Sequence, residues 1–239
     1  TLAKLYSVLF EQKLQSIQGK SRFVVLDFNG EYGGAQLAPE ASKKVYSLST
    51  ANQSAVGDSN ARFPLSADEF WDIETLSLLF QATTNTQRPF LNRVITGKRK
   101  YETNPGSLTA YAKSKFRAAF CAGEVRPATL DLMRTVAHWL KNDQLAELLN
   151  GVSWHTKQGR FIRGGVFFDT DGTAYTANVE PTVNTLNTNN LDVFDQLIVR
   201  VNLQLISDLI SGFVQFEHIQ PLLKRVESSS SLLAIMKGC

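Results

Sequence analysis

The run Phe23-Val24-Val25-Leu26, closed by Asp27-Phe28-Asn29-Gly30-Glu31-Tyr32-Gly33-Gly34, constrains this chain most. Four consecutive apolar residues read as a strand covered on both faces, and the abrupt change to acid, amide and glycine marks its end. Strands of this kind belong to sheets with helices on both sides, which bind ligands at the carboxyl ends of their strands. A carboxylate in that position, Asp27 or Glu31, is placed to meet a ligand, a metal or a water.

Composition permits such a core. Of 239 residues, 43% are apolar and 20% charged, which predicts packing rather than disorder in one large domain or two small ones. A net charge of +3 is too weak to argue for nucleic acid by itself, though it leaves room for a local basic groove. Cys121 and Cys239 lie far apart without metal-ligand spacing and fit a reducing, cytoplasmic interior. No apolar run approaches the roughly 18 residues that cross a bilayer, so no membrane is expected as a partner. The chain opens at Thr1 directly into a helical pattern carrying Leu2, Leu5, Leu9 and Ile17, as expected of a segment cut from something longer.

The remaining elements follow from periodicity and breakers. Residues 2–18 predict a helix with Gly19-Lys20-Ser21 as its exit turn, then the strand over 22–28. A second strand is expected at Lys44–Leu48, a surface loop at Ser49–Asn60 and an extended piece at Ala61–Leu65. Ser66-x-x-Glu69 is a capping box, in which hydroxyl and carboxylate each satisfy a free backbone N–H. Helical patterns run through Phe70–Gln81 and Gln87–Thr96, with a break expected at Gly97-Lys98-Arg99-Lys100. Helices follow near 107–122 and 127–149, Pro127 suiting the first turn of the latter. Arg160–Phe168 and Thr173–Val179 predict a β-hairpin turning at Asp169-Thr170-Asp171-Gly172. After a polar loop at 181–191, helices are expected at Phe194–Phe213 and Phe216–Arg225, with a fraying tail.

Two short motifs mislead. Gly19-Lys20-Ser21 suggests a phosphate-binding loop, but Leu14 stands where the first glycine belongs, and the helix comes before the strand rather than after it. Asp169-Thr170-Asp171-Gly172-Thr173 suggests an aspartyl phosphatase or a calcium loop. The following alternation reads as strand, however, and Ala174 stands where a calcium loop needs glycine. His138, His155 and His218 form no metal-ligand pair, and no Ser-His-Asp set can be assigned. Lys98-Arg99-Lys100 beside Tyr101 suits either a solvated helix end, where cations complement the macrodipole, or a nucleic-acid surface. Lys224 and Arg225 end a helix whose apolar face packs, and their charges could reach a phosphate or a neighbouring subunit.

Asp27-Phe28-Asn29-Gly30-Glu31-Tyr32 resembles the Asp-Pro-His-Gly-Glu-Tyr segment of HerA-type ATPases, relatives of FtsK-type DNA translocases. Asp27, Gly30, Glu31 and Tyr32 match, while Phe28 and Asn29 depart. In that family the segment ends the strand after the phosphate-loop helix, the order seen here. Arg62-Phe63-Pro64-Leu65 and the helices to Val94 are similar to the family's stretch beyond that strand. The resemblance implies an α/β fold: part of a RecA-like (P-loop NTPase) parallel sheet at 1–96, a helical and β-hairpin insertion at 97–192, and a helical segment at 193–239 returning to the core. It implies a hexameric, ATP- and Mg²⁺-dependent motor acting on DNA, in a DNA-processing or antiphage system. Glu31 would orient the attacking water, Asp27 would support it, and Thr1 would end, or directly follow, the phosphate loop. The loop itself and the later strand ending in Asp-Glu are missing here, so the chain alone is expected neither to bind ATP tightly nor to hydrolyse it. The competing reading is a non-catalytic assembly module whose helices over 194–225 contact other proteins.

Overall fold

The computed structural model describes residues 2–46, 65–123 and 126–229. Contacts divide the chain into two compact units, residues 1–64 and 65–237.

In the first unit, α1 (Leu2–Ile17) ends as its sequence demands. Gly19 adopts φ +77°, and the amides of Lys20 and Ser21 both return to the Ile17 carbonyl at 3.0 Å. Phe10 of α1 is buried, and the Phe23 ring meets its ring edge-on at 5.0 Å. The strand expected over 22–28 forms no ladder with any described residue, and the parallel sheet is not seen. A strand exists only through its neighbours' hydrogen bonds. Among the described residues none lies beside this run, whose Val24, Leu26 and Phe28 are 87, 78 and 95% exposed. A 3₁₀ turn at Glu40–Ser42 follows Pro39, and 43–46 are likewise unladdered. The rest of the expected second strand, the loop at Ser49–Asn60 and the piece at 61–64 lie outside the described residues.

The second unit is mainly helical. Its capping box forms as predicted: the Glu69 amide donates to Ser66 Oγ at 3.2 Å, and the Ser66 amide to Glu69 Oε2 at 2.9 Å, opening α2 (Ala67–Phe70). The single helix expected over Phe70–Gln81 breaks after Phe70. Asp72 turns its carboxylate onto the amides of Glu74 and Thr75 and starts α3 (Ile73–Leu79) afresh. The break expected at Gly97 does not occur: α4 (Gln87–Tyr101) runs through it, so the 96/97 boundary lies inside a helix. Phe90, Leu91, Val94, Ile95 and Lys98 continue one buried face, and that burial outweighs the low propensity of one glycine.

α5 (Ser107–Phe120) starts after Gly106, and α6 (Pro127–Trp139) carries Pro127 at its first position. The helix expected to reach 149 is cut at Lys141 (φ +52°), and Asn142 caps α7 (Asp143–Asn150) through the Leu145 amide at 2.9 Å. The small sheet β1 (Ser153–His155), β2 (Arg160–Arg163) and β3 (Val166–Phe167) is antiparallel in the order β1-β2-β3, pairing Trp154 with Phe161 and Ile162 with Phe167. The hairpin therefore lies elsewhere than the sequence predicts. It turns at Gly164-Gly165, both at positive φ as a two-residue primed turn requires, inside the stretch expected to be one strand.

Thr173–Val179, expected as its second strand, instead contains α8 (Thr173–Asn178). The Asp171 carboxylate accepts the Thr173 amide at 3.0 Å, and Tyr175 and Val179 are buried four residues apart, the helical spacing. The short α9 (Glu180–Val183) follows within the expected loop. α10 (Val193–Ile210) and α11 (Phe216–Ser228) stand where predicted, and the residues beyond Ser229 lie outside the described ones. α10 is the axis of the unit, buried on nearly every face and packed on α6, α5, α11 and α4. Phe120 joins the sheet to α8, its ring 5.5, 4.7 and 5.8 Å from Phe161, Phe168 and Tyr175.

Candidate functional site

The acidic loop after the apolar run is a built structure. Asp27 folds its carboxylate back on the chain: Oδ2 accepts the Tyr32 amide at 2.8 Å, and Oδ1 accepts those of Gly30 at 2.9 Å and Asn29 at 3.3 Å. These N–H groups, that of Tyr32 foremost, hold the Asp27 carboxyl below its ordinary pKa despite some desolvation. Gly30 permits the reversal by adopting φ +74° with open space around it. On the other side, Lys43 Nζ donates to the Tyr32 carbonyl at 2.7 Å and also to the Gly34 carbonyl. Glu31 sits inside this frame, exposed, its backbone N–H also turned to Asp27 and its carboxylate without a hydrogen-bond or ion-pair partner among the described residues. An exposed carboxylate on a pinned backbone is equipped to accept a hydrogen bond from a water.

Thr1, the position tied to the phosphate loop, lies outside the described residues. The basic candidates separate. Lys98 is 8% exposed, stacked 5.1 Å over the Trp71 ring and paired with Glu102. Arg99 donates to the Trp71 carbonyl at 3.2 Å and remains exposed, as does Lys100, which lies over Tyr101. Arg225 gives its guanidinium to the carbonyls of Phe80 (2.6 Å) and Gln81 (3.3 Å) and to Gln87 Oε1 (2.7 Å), closing the end of α3. Lys224 is exposed. Cationic reach thus rests with Arg99, Lys100 and Lys224, while Lys98 and Arg225 are built into the fold.

Sequence reasoning missed Lys43, because its bonds cross nine and eleven positions of an irregular glycine-rich loop that no spacing rule covers. It also missed the pair of Arg93 with the buried Asp208, 2.8 Å apart between α4 and α10. Among the described residues no three His, Cys, Asp or Glu side chains are grouped to hold a metal ion, and no helix is long and apolar enough to cross a membrane.

The family model described as "Helicase HerA, central domain" matches residues 4–210, well over half the chain. The chain belongs to this family, and the resemblance drawn on Asp27, Gly30, Glu31 and Tyr32 is borne out at that level. Membership makes it an ATPase- or translocase-related protein. No curated protein matches the chain, and no solved structure does.

Proposed function

We propose that this chain is a segment of a HerA-type, ATP-driven motor acting on DNA, and that Glu31 is its water-orienting acid. One observation carries the reading: within a matched family segment, the Glu31 carboxylate has no partner among the described residues, in a loop whose backbone is held by Asp27 and Lys43. Phosphoryl transfer asks for such a group, since catalysis there is largely positioning and electrostatics around an attacking oxygen. ATP with Mg²⁺ would supply the transferable phosphoryl group. The described residues fit the acid's part; on this reading the 239-residue chain by itself neither binds ATP tightly nor hydrolyses it.

The same reading makes 22–28 an interior strand of a parallel sheet, with its exposed Val24 and Leu26 covered by neighbouring strands and helices. A homohexameric ring acting on DNA completes the proposal. The rival reading, helices 194–225 as a protein-contact module, fits less well, because α10 is already buried within its own unit.

The test is ATP turnover by the full-length protein with and without duplex DNA. DNA-stimulated hydrolysis is expected. A full-length protein that turns over no ATP overturns the reading.

A further inference from the structure

We propose that Lys43 is a positioning residue for the Glu31 carboxylate, a role that rests on reading Glu31 as the water-orienting acid and extends it to a second side chain. The loop around Glu31 contains Gly30, Gly33 and Gly34, the chain's most flexible residue type. Its first half is fixed by Asp27, which takes the amides of Asn29, Gly30 and Tyr32. Among the described residues no carboxylate reaches the second half in that way. A Cβ at Gly33 would meet nothing within 4 Å, and one at Gly34 would meet only the side chain of Gln36. The ammonium of Lys43 fills that role by drawing the Tyr32 and Gly34 carbonyls to one point.

The geometry ties this grip directly to Glu31. The peptide joining Glu31 to Tyr32 carries the N–H bound by Asp27, and the next peptide carries the carbonyl bound by Lys43. Both links leaving Glu31 towards the C-terminus are therefore held, and Gly30 on its other side is held as well. Lys43 is itself anchored: its amide closes the 3₁₀ turn onto the Glu40 carbonyl at 3.3 Å, and its backbone leaves extended at φ −134°, ψ 156°. An ammonium making charge-assisted bonds to two carbonyls is a stronger constraint than a neutral side chain of the same length. Losing it frees the Gly33-Gly34 arc, and the Glu31 carboxylate then samples positions away from the attacking water. A displacement on the order of 1 Å can cost about 10²-fold in rate.

The experiment compares wild type, Lys43→Met, Lys43→Arg, Glu31→Gln and the Glu31→Gln/Lys43→Met double variant in the full-length protein, by steady-state ATP hydrolysis and thermal melting. Lys43→Met keeps the stem and removes the donors. It is expected to lower kcat on the order of 10²-fold with KM for ATP and Tm unchanged, and Lys43→Arg is expected to restore most of the loss. The double variant is expected to be no slower than Glu31→Gln alone, because a residue that works through Glu31 has nothing left to do without it. A Lys43→Met protein with wild-type kcat overturns the inference and leaves the Glu31 reading standing. A double variant markedly slower than Glu31→Gln, or a loss of kcat accompanied by a lowered Tm, assigns Lys43 a purely structural role and also overturns it. A wild-type protein without turnover, or a Glu31→Gln protein at wild-type rate, defeats the Glu31 reading and this inference together.

Discussion

Asp27 and Lys43 hold the same residue from its two sides: the Tyr32 amide donates to the Asp27 carboxylate at 2.8 Å, and the Tyr32 carbonyl accepts from the Lys43 ammonium at 2.7 Å. Opposite charges sixteen positions apart in the sequence are bridged through one backbone residue instead of touching each other. The residue before it, Glu31, is left exposed, its carboxylate unpaired among the described residues.

This arrangement is sensitive to acid. The pKa of Asp27 is held below its ordinary 3.8, first by the Tyr32 amide. A carboxyl lowered on folding stabilises the folded loop fully above its unfolded pKa and loses that contribution as pH falls through the lowered value. The amide resonances of Gly30 and Tyr32 are expected to shift together only below pH 3.8, and Asp27→Ala is expected to abolish that titration. A shared transition at or above the ordinary value contradicts the assignment.

In the second unit, Arg93 holds Asp208 through Nε at 3.1 Å and Nη2 at 2.8 Å, while Gln204 donates to the same carboxylate. The Asp208 side chain is 3% exposed and that of Arg93 38%. Arg93→Ala strands a buried charge and is expected to destabilise by about 3 kcal/mol, at the lower end for buried pairs because water reaches the guanidinium. Urea denaturation measures this. The Arg93→Met/Asp208→Leu double variant should recover much of the loss.

Arg225 and its neighbour separate structure from surface. Arg225→Ala removes the partner of the Phe80 and Gln81 carbonyls and is expected to cost roughly 1–3 kcal/mol. Lys224→Ala, on an exposed side chain, is expected to stay within about 0.5 kcal/mol of wild type. The same denaturation curves decide it, and equal losses would show the caps to be unimportant.

If DNA is the substrate, Lys98-Arg99-Lys100 will not act as a block. Lys100→Ala is expected to weaken binding and to reduce the salt slope by about 0.9 for each phosphate that Lys100 neutralises. Lys98→Ala breaks the Trp71 stack and the Glu102 pair, and is expected to lower Tm instead. Unchanged DNA affinity in Lys100→Ala removes that residue from the interface.

What the sequence made legible divides along physical lines. Local chemistry was readable: Ser66 with Glu69, Pro127 at a helix start, and the positions of α10 and α11 all depend on neighbours within a turn or two. The Asp-Gly turn was misread because Asp171-Gly172 can open either a hairpin or a helix. The choice fell to the buried Tyr175 and Val179, the former packed on the ring of the distant Phe120. Gly97 was overvalued as a breaker because the apolar face it interrupts is satisfied by α10, far along the chain. In the loop, Asp27, Gly30 and Glu31 were visible as residue types in order, whereas Lys43 became visible only through its geometry.

On the proposed reading, the pinned loop presents Glu31 to a water. Steady-state ATP hydrolysis by the full-length protein carrying Glu31→Gln, with nucleotide binding measured in parallel, tests it most directly. The expected result is a fall in kcat of about 10²-fold or more with ATP still bound. Wild-type turnover by Glu31→Gln would remove Glu31 from the reaction.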